Sequence, residues 1–212
     1  MNARCQCVGT AYGSNCQYVL LNSTIFKNST ILSQELSIQL LNLVGFPLNL
    51  NSSLIYQASK NSFTSDAFHS RCDSIFETFI VVKTMNSNVF GGFTQADWSA
   101  GPGFVLDSNA FIFSLINQNN TPVVFNLVDS NYAIFSHPMF GPVFGGGFDF
   151  SIANQSNSNM NSFSKLGQSY QSPNSQTMNF LSTQFLAGSF NFQVAEIEVY
   201  SIDRIKYRVF YL

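Results

Sequence analysis

Charge is scarce in this chain. Nine Lys and Arg and eleven Asp and Glu are spread over 212 residues, 9% in all, and the formal net charge is -2. No Lys/Arg cluster is present. A nucleic-acid surface needs one to neutralise phosphates, so that function class is excluded. Long apolar runs are also missing: none approaches the ~20 residues that span a bilayer. Met1-Asn2-Ala3-Arg4 is not followed by the apolar stretch of a signal peptide, so an exported form is expected to have carried its signal upstream. Gly-x-Ser-x-Gly is absent, which leaves a nucleophile elbow unsupported. Gly91-Gly92 and Gly145-Gly146-Gly147 cradle no phosphate, because no helix start and no Lys-Ser/Thr follow them. No cofactor is expected.

Apolar material is plentiful by contrast. Hydrophobic residues make up 45% and Phe alone occurs 23 times, enough for one sizeable core plus a short appendage. The polar surface must then be built from Asn, Ser, Gln and Thr. Leu32, Leu36, Leu40 and Leu43 recur at helical steps, which predicts a helix over 31–43 ended by Gly45 and Pro47. A short strand follows over 54–58. A second helix starts near Thr64, with Thr64 as its cap and Phe63 and Phe68 as a hydrophobic staple. From Thr78 the pattern is β: a hairpin of 78–84 and 89–94, then strands over 110–115, 123–127, 132–136, 148–152 and 192–200. Gly101-Pro102-Gly103 and Gly141-Pro142 mark turns, and 153–179 is expected to be a long polar loop. Many short strands without a βαβ rhythm give a mainly β (α+β) class: a two-sheet antiparallel β-sandwich flanked by short helices.

Cys5-Gln6-Cys7, then Gly9, Gly13 and Cys16, resembles the closing half of an epidermal-growth-factor-like module. The resemblance implies a Cys7–Cys16 disulfide, leaves Cys5 to an upstream partner, and places the chain in an oxidising compartment. Sequons at Asn22, Asn28, Asn51, Asn119 and Asn154 agree with export. The division is therefore 1–20 as a partial module, 21–30 as a linker, 31–202 as the main domain and 203–212 as a C-terminal extension.

Four stretches name the main domain's family. They are Tyr56-Gln57-Ala58-Ser59 leading to Phe68-His69 and Cys72-Asp73; Val89-Phe90-Gly91-Gly92-Phe93-Thr94 leading to Trp98; Gly141-Pro142-Val143-Phe144-Gly145 leading to Asp149; and Gly167-Gln168-Ser169-Tyr170 followed by Glu196-Ile197-Glu198-Val199-Tyr200. In this order they resemble a TLDc domain of the oxidation-resistance family, from about Ile31 to Tyr200. The resemblance implies a β-sandwich, a link to oxidative-stress protection and, for several members, binding to the vacuolar proton pump. The chain departs from the family after Cys72-Asp73. There Ser74-Ile75-Phe76-Glu77 replaces a glycine- and proline-bearing turn.

The candidate polar cluster is His69, Asp73, Asp149, Glu196 and Glu198. Glu196 and Glu198 lie two apart, so period two places them on one strand face with Val194, and Ala195, Ile197 and Val199 on the other. Paired carboxylates can serve as acid and base or hold a cation. The structural reading is a solvated face or hydrogen bonds to nearby loops, with Arg71 or Lys83 as partner if one is buried. His69 and Asp73 are one helical turn apart; with Glu196 they offer too few nitrogen or sulfur ligands for zinc, and no metal is assigned. Cys72 reads as a small buried apolar group, Trp98 as core, and the alternating Phe111/Phe113 and Phe148/Phe150 as core rather than a binding stripe.

Three functions follow. The favoured one is a non-enzymatic protein-interaction module, extracellular or in the secretory lumen on an epidermal-growth-factor-like stalk, with a protein partner and no catalytic residues. The second is a cytoplasmic stress-protection factor acting on a proton-pump subunit. The third is a hydrolase or metal-binding enzyme built on the carboxylates.

Overall fold

The computed structural model describes residues 25–172 and 182–203. Two six-stranded antiparallel sheets make the mainly β sandwich. Sheet 1 joins β1 (Asn51–Gln57), β12 (Val194–Asp203), β2 (Thr78–Thr84), β3 (Val89–Thr94), β5 (Phe111–Ile116) and β6 (Val123–Asn126), in that order. Sheet 2 runs β11 (Asn191–Phe192), β10 (Ser162–Ser164), β9 (Phe150–Ala153), β8 (Phe140–Phe144), β7 (Ile134–Ser136) and β4 (Gly103–Val105). Helices α1 (Gln34–Val44), α2 (Ala58–Asn61) and α3 (Ser65–Cys72) flank them.

Sheet 1 is covered on both faces, which explains why β2 is an unbroken apolar run rather than an alternating one. Ile80 and Val82 point between the sheets, towards Phe90, Ile112, Phe144 and Phe150. Phe79 and Val81 point the other way, into a second core with Phe93, Phe113, Leu40 and Leu41 of α1. Ser33 caps α1 by accepting from the Leu36 amide, and Gly45 ends it at φ 71, a left-handed conformation that glycine adopts without strain. Residues 25–30, expected as linker from their polar spelling, belong to this layer: Ile25 and Phe26 are buried, and the Phe26 ring packs on Tyr200 and Phe79. At α3 the Thr64 hydroxyl accepts from the Ala67 amide, and Phe63 and Phe68 sit at the staple positions.

Other expectations about the strands change as well. Gly141-Pro142 lies within β8, not in a turn; the register shifts between Phe140 and Val143, and such an irregularity is where a sheet tolerates proline. The stretch 153–179 is not one loop, since it contains β10, which pairs with β9 before it and β11 after it. A bulge between Val194 and Glu196 reverses side-chain parity, so Val194 joins Ile197 and Val199 between the sheets instead of sharing the glutamates' face. The cysteine-bearing start, with Cys7 and Cys16, the Asn22 sequon and the extension beyond Asp203 lie outside the described residues.

Candidate functional site

Glu198 is the centre of the polar set. Its side chain is fully buried at 0% exposure. Oε1 accepts from the Thr30 amide at 2.6 Å, the Thr30 hydroxyl at 2.9 Å and Gln57 Nε2 at 3.2 Å. Oε2 accepts from the Ser29 hydroxyl at 2.5 Å and the Tyr200 hydroxyl at 3.0 Å. Five donors meet an acceptor-only group, which offsets the loss of water around it. Ser29 Oγ in turn accepts from the amides of Ile31 and Leu32. The carboxylate thus pins the 25–32 segment onto β12 and closes the outer core. Burial, reinforced by the charge of Glu198, pushes the Tyr200 phenol well up, so it stays a donor.

Glu196 is also buried rather than solvated. Its Oε1 accepts from the Ser59 amide at 3.0 Å at the start of α2 and from its own neighbour Ile197. Lys83 faces Glu196 in the strand register, yet neither glutamate pairs with Lys83 or Arg71 among the described residues. The expected hydrogen bonds to nearby loops are what the structure contains; the solvated face is not.

Asp149 sits in the other sheet, at the turn into β9, with 0% exposure. Oδ1 accepts from the amides of Gly167 at 2.8 Å and Gln168 at 3.0 Å, and Oδ2 from Ser169 at 2.9 Å. Burial pushes its carboxyl above the ordinary range, and those amides pull part of the way back. Gly145 is obligatory beside it: at φ 89, an added Cβ would lie 1.9 Å from Asp149 Oδ2.

His69 and Asp73 pair at 2.8 Å across one turn of α3. The other imidazole nitrogen faces the carbonyls of His137 at 3.1 Å and Phe140 at 3.2 Å, so the ring staples α3 to the β7–β8 turn. Cys72 is wholly buried, and burial raises its thiol far above the range of a reactive cysteine. Trp98 is core, donating to the Thr78 hydroxyl at 3.1 Å. The five residues of the proposed cluster therefore do not converge: they form separate anchors on α3, β12 and the β8–β9 turn. Among the described residues, no three His, Cys, Asp or Glu side chains gather as a metal site, and no helix is long and apolar enough to cross a membrane.

What the sequence reading overlooked lies on the far side of sheet 2. Phe150 belongs to the core, but Phe148 does not; it is half-buried on the outer face at φ 60. Its ring continues a ladder across the sheet. Phe104 to Phe135 is 4.9 Å between centroids, Phe135 to Phe148 5.1 Å, Phe148 to Phe163 6.1 Å and Phe163 to Phe190 5.4 Å. The ends are open, with Phe104 42% and Phe190 43% exposed. No described segment forms a core against this face. The signal in sequence was Ser162-Phe163-Ser164, a short alternating strand hidden in a polar stretch.

The TLDc domain family model matches residues 25–203. The chain belongs to the TLDc domain family. Its match includes the 25–30 segment that Glu198 holds, which is why the domain edge lies before Ile31. No curated protein matches the chain.

Proposed function

We propose that this TLDc domain is a non-enzymatic protein-interaction module, and that the aromatic ladder on the outer face of sheet 2 is its binding surface. The carrying observation is the contrast between the two outer faces. Sheet 1 is sealed by α1 and the 25–32 segment, whereas sheet 2 presents a row of five phenylalanine rings in successive contact, the two end rings exposed and the three between them half-buried. Contiguous exposed apolar surface of this kind marks association sites. The carboxylates, each engaged with backbone or hydroxyl donors, serve the fold, which favours binding over catalysis.

The setting we infer is extracellular or lumenal. Support comes from the epidermal-growth-factor-like cysteine spacing and from sequon asparagines Asn28, Asn51 and Asn154, all exposed. Membership of the TLDc family favours the second reading, a cytoplasmic stress-protection factor that binds a proton-pump subunit. Non-reducing peptide mapping of the native protein separates the two: a Cys7–Cys16 bridge with glycan on Asn28 is expected, and reduced cysteines without glycan would establish the cytoplasmic reading. For the surface, a photo-crosslinking residue at Phe190 should capture a discrete partner that Phe163→Glu abolishes. Capture that survives Phe163→Glu overturns the assignment.

A further inference from the structure

A second surface, on the other side of the molecule's helical edge, has a different chemistry. α2, the turn into α3 and the segment after β9 enclose an open cavity of about 510 Å3, lined by Ser59, Ser62, Phe63, Gln155, Asn157 and Ser158 among others. That volume falls within the ~300–1,000 Å3 of small-molecule sites. No lining residue is charged, and Lys60 and Asp66 nearby in the chain are exposed and outside it.

Backbone bonds join the walls of the cleft, and the hydroxyls of Ser62, Thr64 and Ser158 are engaged locally. The Gln155 amide donates to the Phe63 carbonyl at 3.0 Å, joining the two walls. The Ser65 amide donates to Asn154 Oδ1 at 2.9 Å, and the Ser59 amide to Glu196 at 3.0 Å. Phe63 is held against the inter-sheet core. The carboxamides of Gln155 and Asn157 and the Ser59 hydroxyl make no hydrogen bond among the described residues, and they remain for a ligand.

We propose that this cleft binds a neutral saccharide unit. Hydroxyls and carboxamides both donate and accept, as sugar hydroxyls do. Phe63, half-buried in the lining, supplies apolar ring surface for the C–H side of a pyranose. The absence of Lys, Arg, Asp and Glu from the lining leaves nothing to compensate a phosphate, a carboxylate or a metal ion. The ligand can be a free sugar or a glycan carried by a protein, which share this chemistry. The assignment uses none of the aromatic ladder, so the two surfaces fail or stand separately.

The test is an amide-resolved NMR titration of the full chain with methyl α-mannoside, methyl β-glucoside, methyl β-galactoside and N-acetylglucosamine. A high-mannose glycopeptide and its deglycosylated form complete the set. At least one sugar should shift the amides of 58–64 and 155–158 saturably, with a dissociation constant of roughly 1 mM for an open cleft with a few hydrogen bonds. Gln155→Ala and Asn157→Ala remove exposed side chains and should each weaken binding about 3- to 10-fold, the loss of one neutral hydrogen bond, without lowering thermal stability. Glycopeptide binding stronger than any free glycoside identifies a protein-borne glycan; equal binding identifies free sugar. The proposal is overturned if no probe shifts these amides up to roughly 20 mM, a range that would still detect millimolar affinity. It is equally overturned if both variants bind like the parent, or if the deglycosylated peptide binds like the glycopeptide.

Discussion

Replacing Glu198 by Gln asks how much of this domain depends on one buried carboxylate. Gln keeps the shape but turns one acceptor oxygen into an amide donor. On the Oε1 side that NH2 would face the Thr30 amide and Gln57 Nε2, which only donate. On the Oε2 side it would meet two hydroxyls. Tyr200 can rotate and accept, but the Ser29 oxygen already accepts from Ile31 and Leu32. The better orientation therefore forfeits at least one bond to a charged acceptor and weakens the others. Bonds to charged groups contribute about 1.5–3 kcal/mol each, so the expected loss is about 2–4 kcal/mol. For a domain of this size that lowers Tm by about 5–12 °C. Urea denaturation followed by fluorescence of Trp98, the single tryptophan and 1% exposed, reads the change directly. Glu198→Ala, which strands the donors altogether, should lose more, about 4–5 kcal/mol. A Gln variant within about 0.5 kcal/mol of the parent, the range of an ordinary surface change, would refute the idea that this group locks the outer core.

Gly91→Ala should be among the most damaging single changes, because its Cβ would lie 1.9 Å from the Ile80 carbonyl oxygen and 2.7 Å from the Phe113 ring. The loss expected in urea is about 3 kcal/mol or more, since backbone in the adjacent strand cannot yield. Ser74→Gly should act oppositely. Ser74 is held at φ 63, and relief of about 1 kcal/mol of left-handed strain exceeds the extra chain entropy of glycine, leaving a gain of roughly 0.5 kcal/mol by thermal denaturation. Asp97 gives a pH signature. Burial pushes its carboxyl up, but the Ser99 hydroxyl and the amides of Ser99, Ser74 and Trp98 together outweigh it and hold the pKa below the ordinary value. Its stabilisation is present above the unfolded pKa of about 3.9 and is lost as pH falls through the lower folded one. Asp97→Asn should thus be less stable than the parent at pH 7, with the gap closing below about pH 4 in a denaturation series; a gap that stays constant to pH 2 contradicts this.

The sandwich was legible because its signals are local. β2 and β3 begin and end where their Phe, Ile and Val runs do, and Thr64 with the Phe63/Phe68 staple marks the start of α3. Glycine clashes at Gly91-Gly92 could be inferred from strand context alone. Long-range partners could not. Nothing in Asn28-Ser29-Thr30 says that its hydroxyls will meet a carboxylate about 170 residues further on, and the polar spelling points to a linker instead. The bulge at Val194/Glu196 broke the period-two argument by one residue, while the glutamates' own pairing on a strand was sound. Phe148 was misassigned for a related reason. It lies before β9 at positive φ, so alternation with Phe150 does not apply to it. The departure at Ser74-Ile75-Phe76-Glu77 has a physical reading too: both Ser74 and Glu77 take the positive φ that suits glycine.

Native-state hydrogen exchange is the most direct check that the buried carboxylates act as structural anchors rather than a reactive site. Thr30, Ser59, Gly167, Gln168 and Ser169 lie outside the strands, but each amide donates to Glu198, Glu196 or Asp149. They should exchange as slowly as the centre of β2, with opening energies near that of global unfolding. Exchange at these five amides as fast as in the exposed Ser87 and Asn120 turns would mean that the carboxylates hold nothing in place.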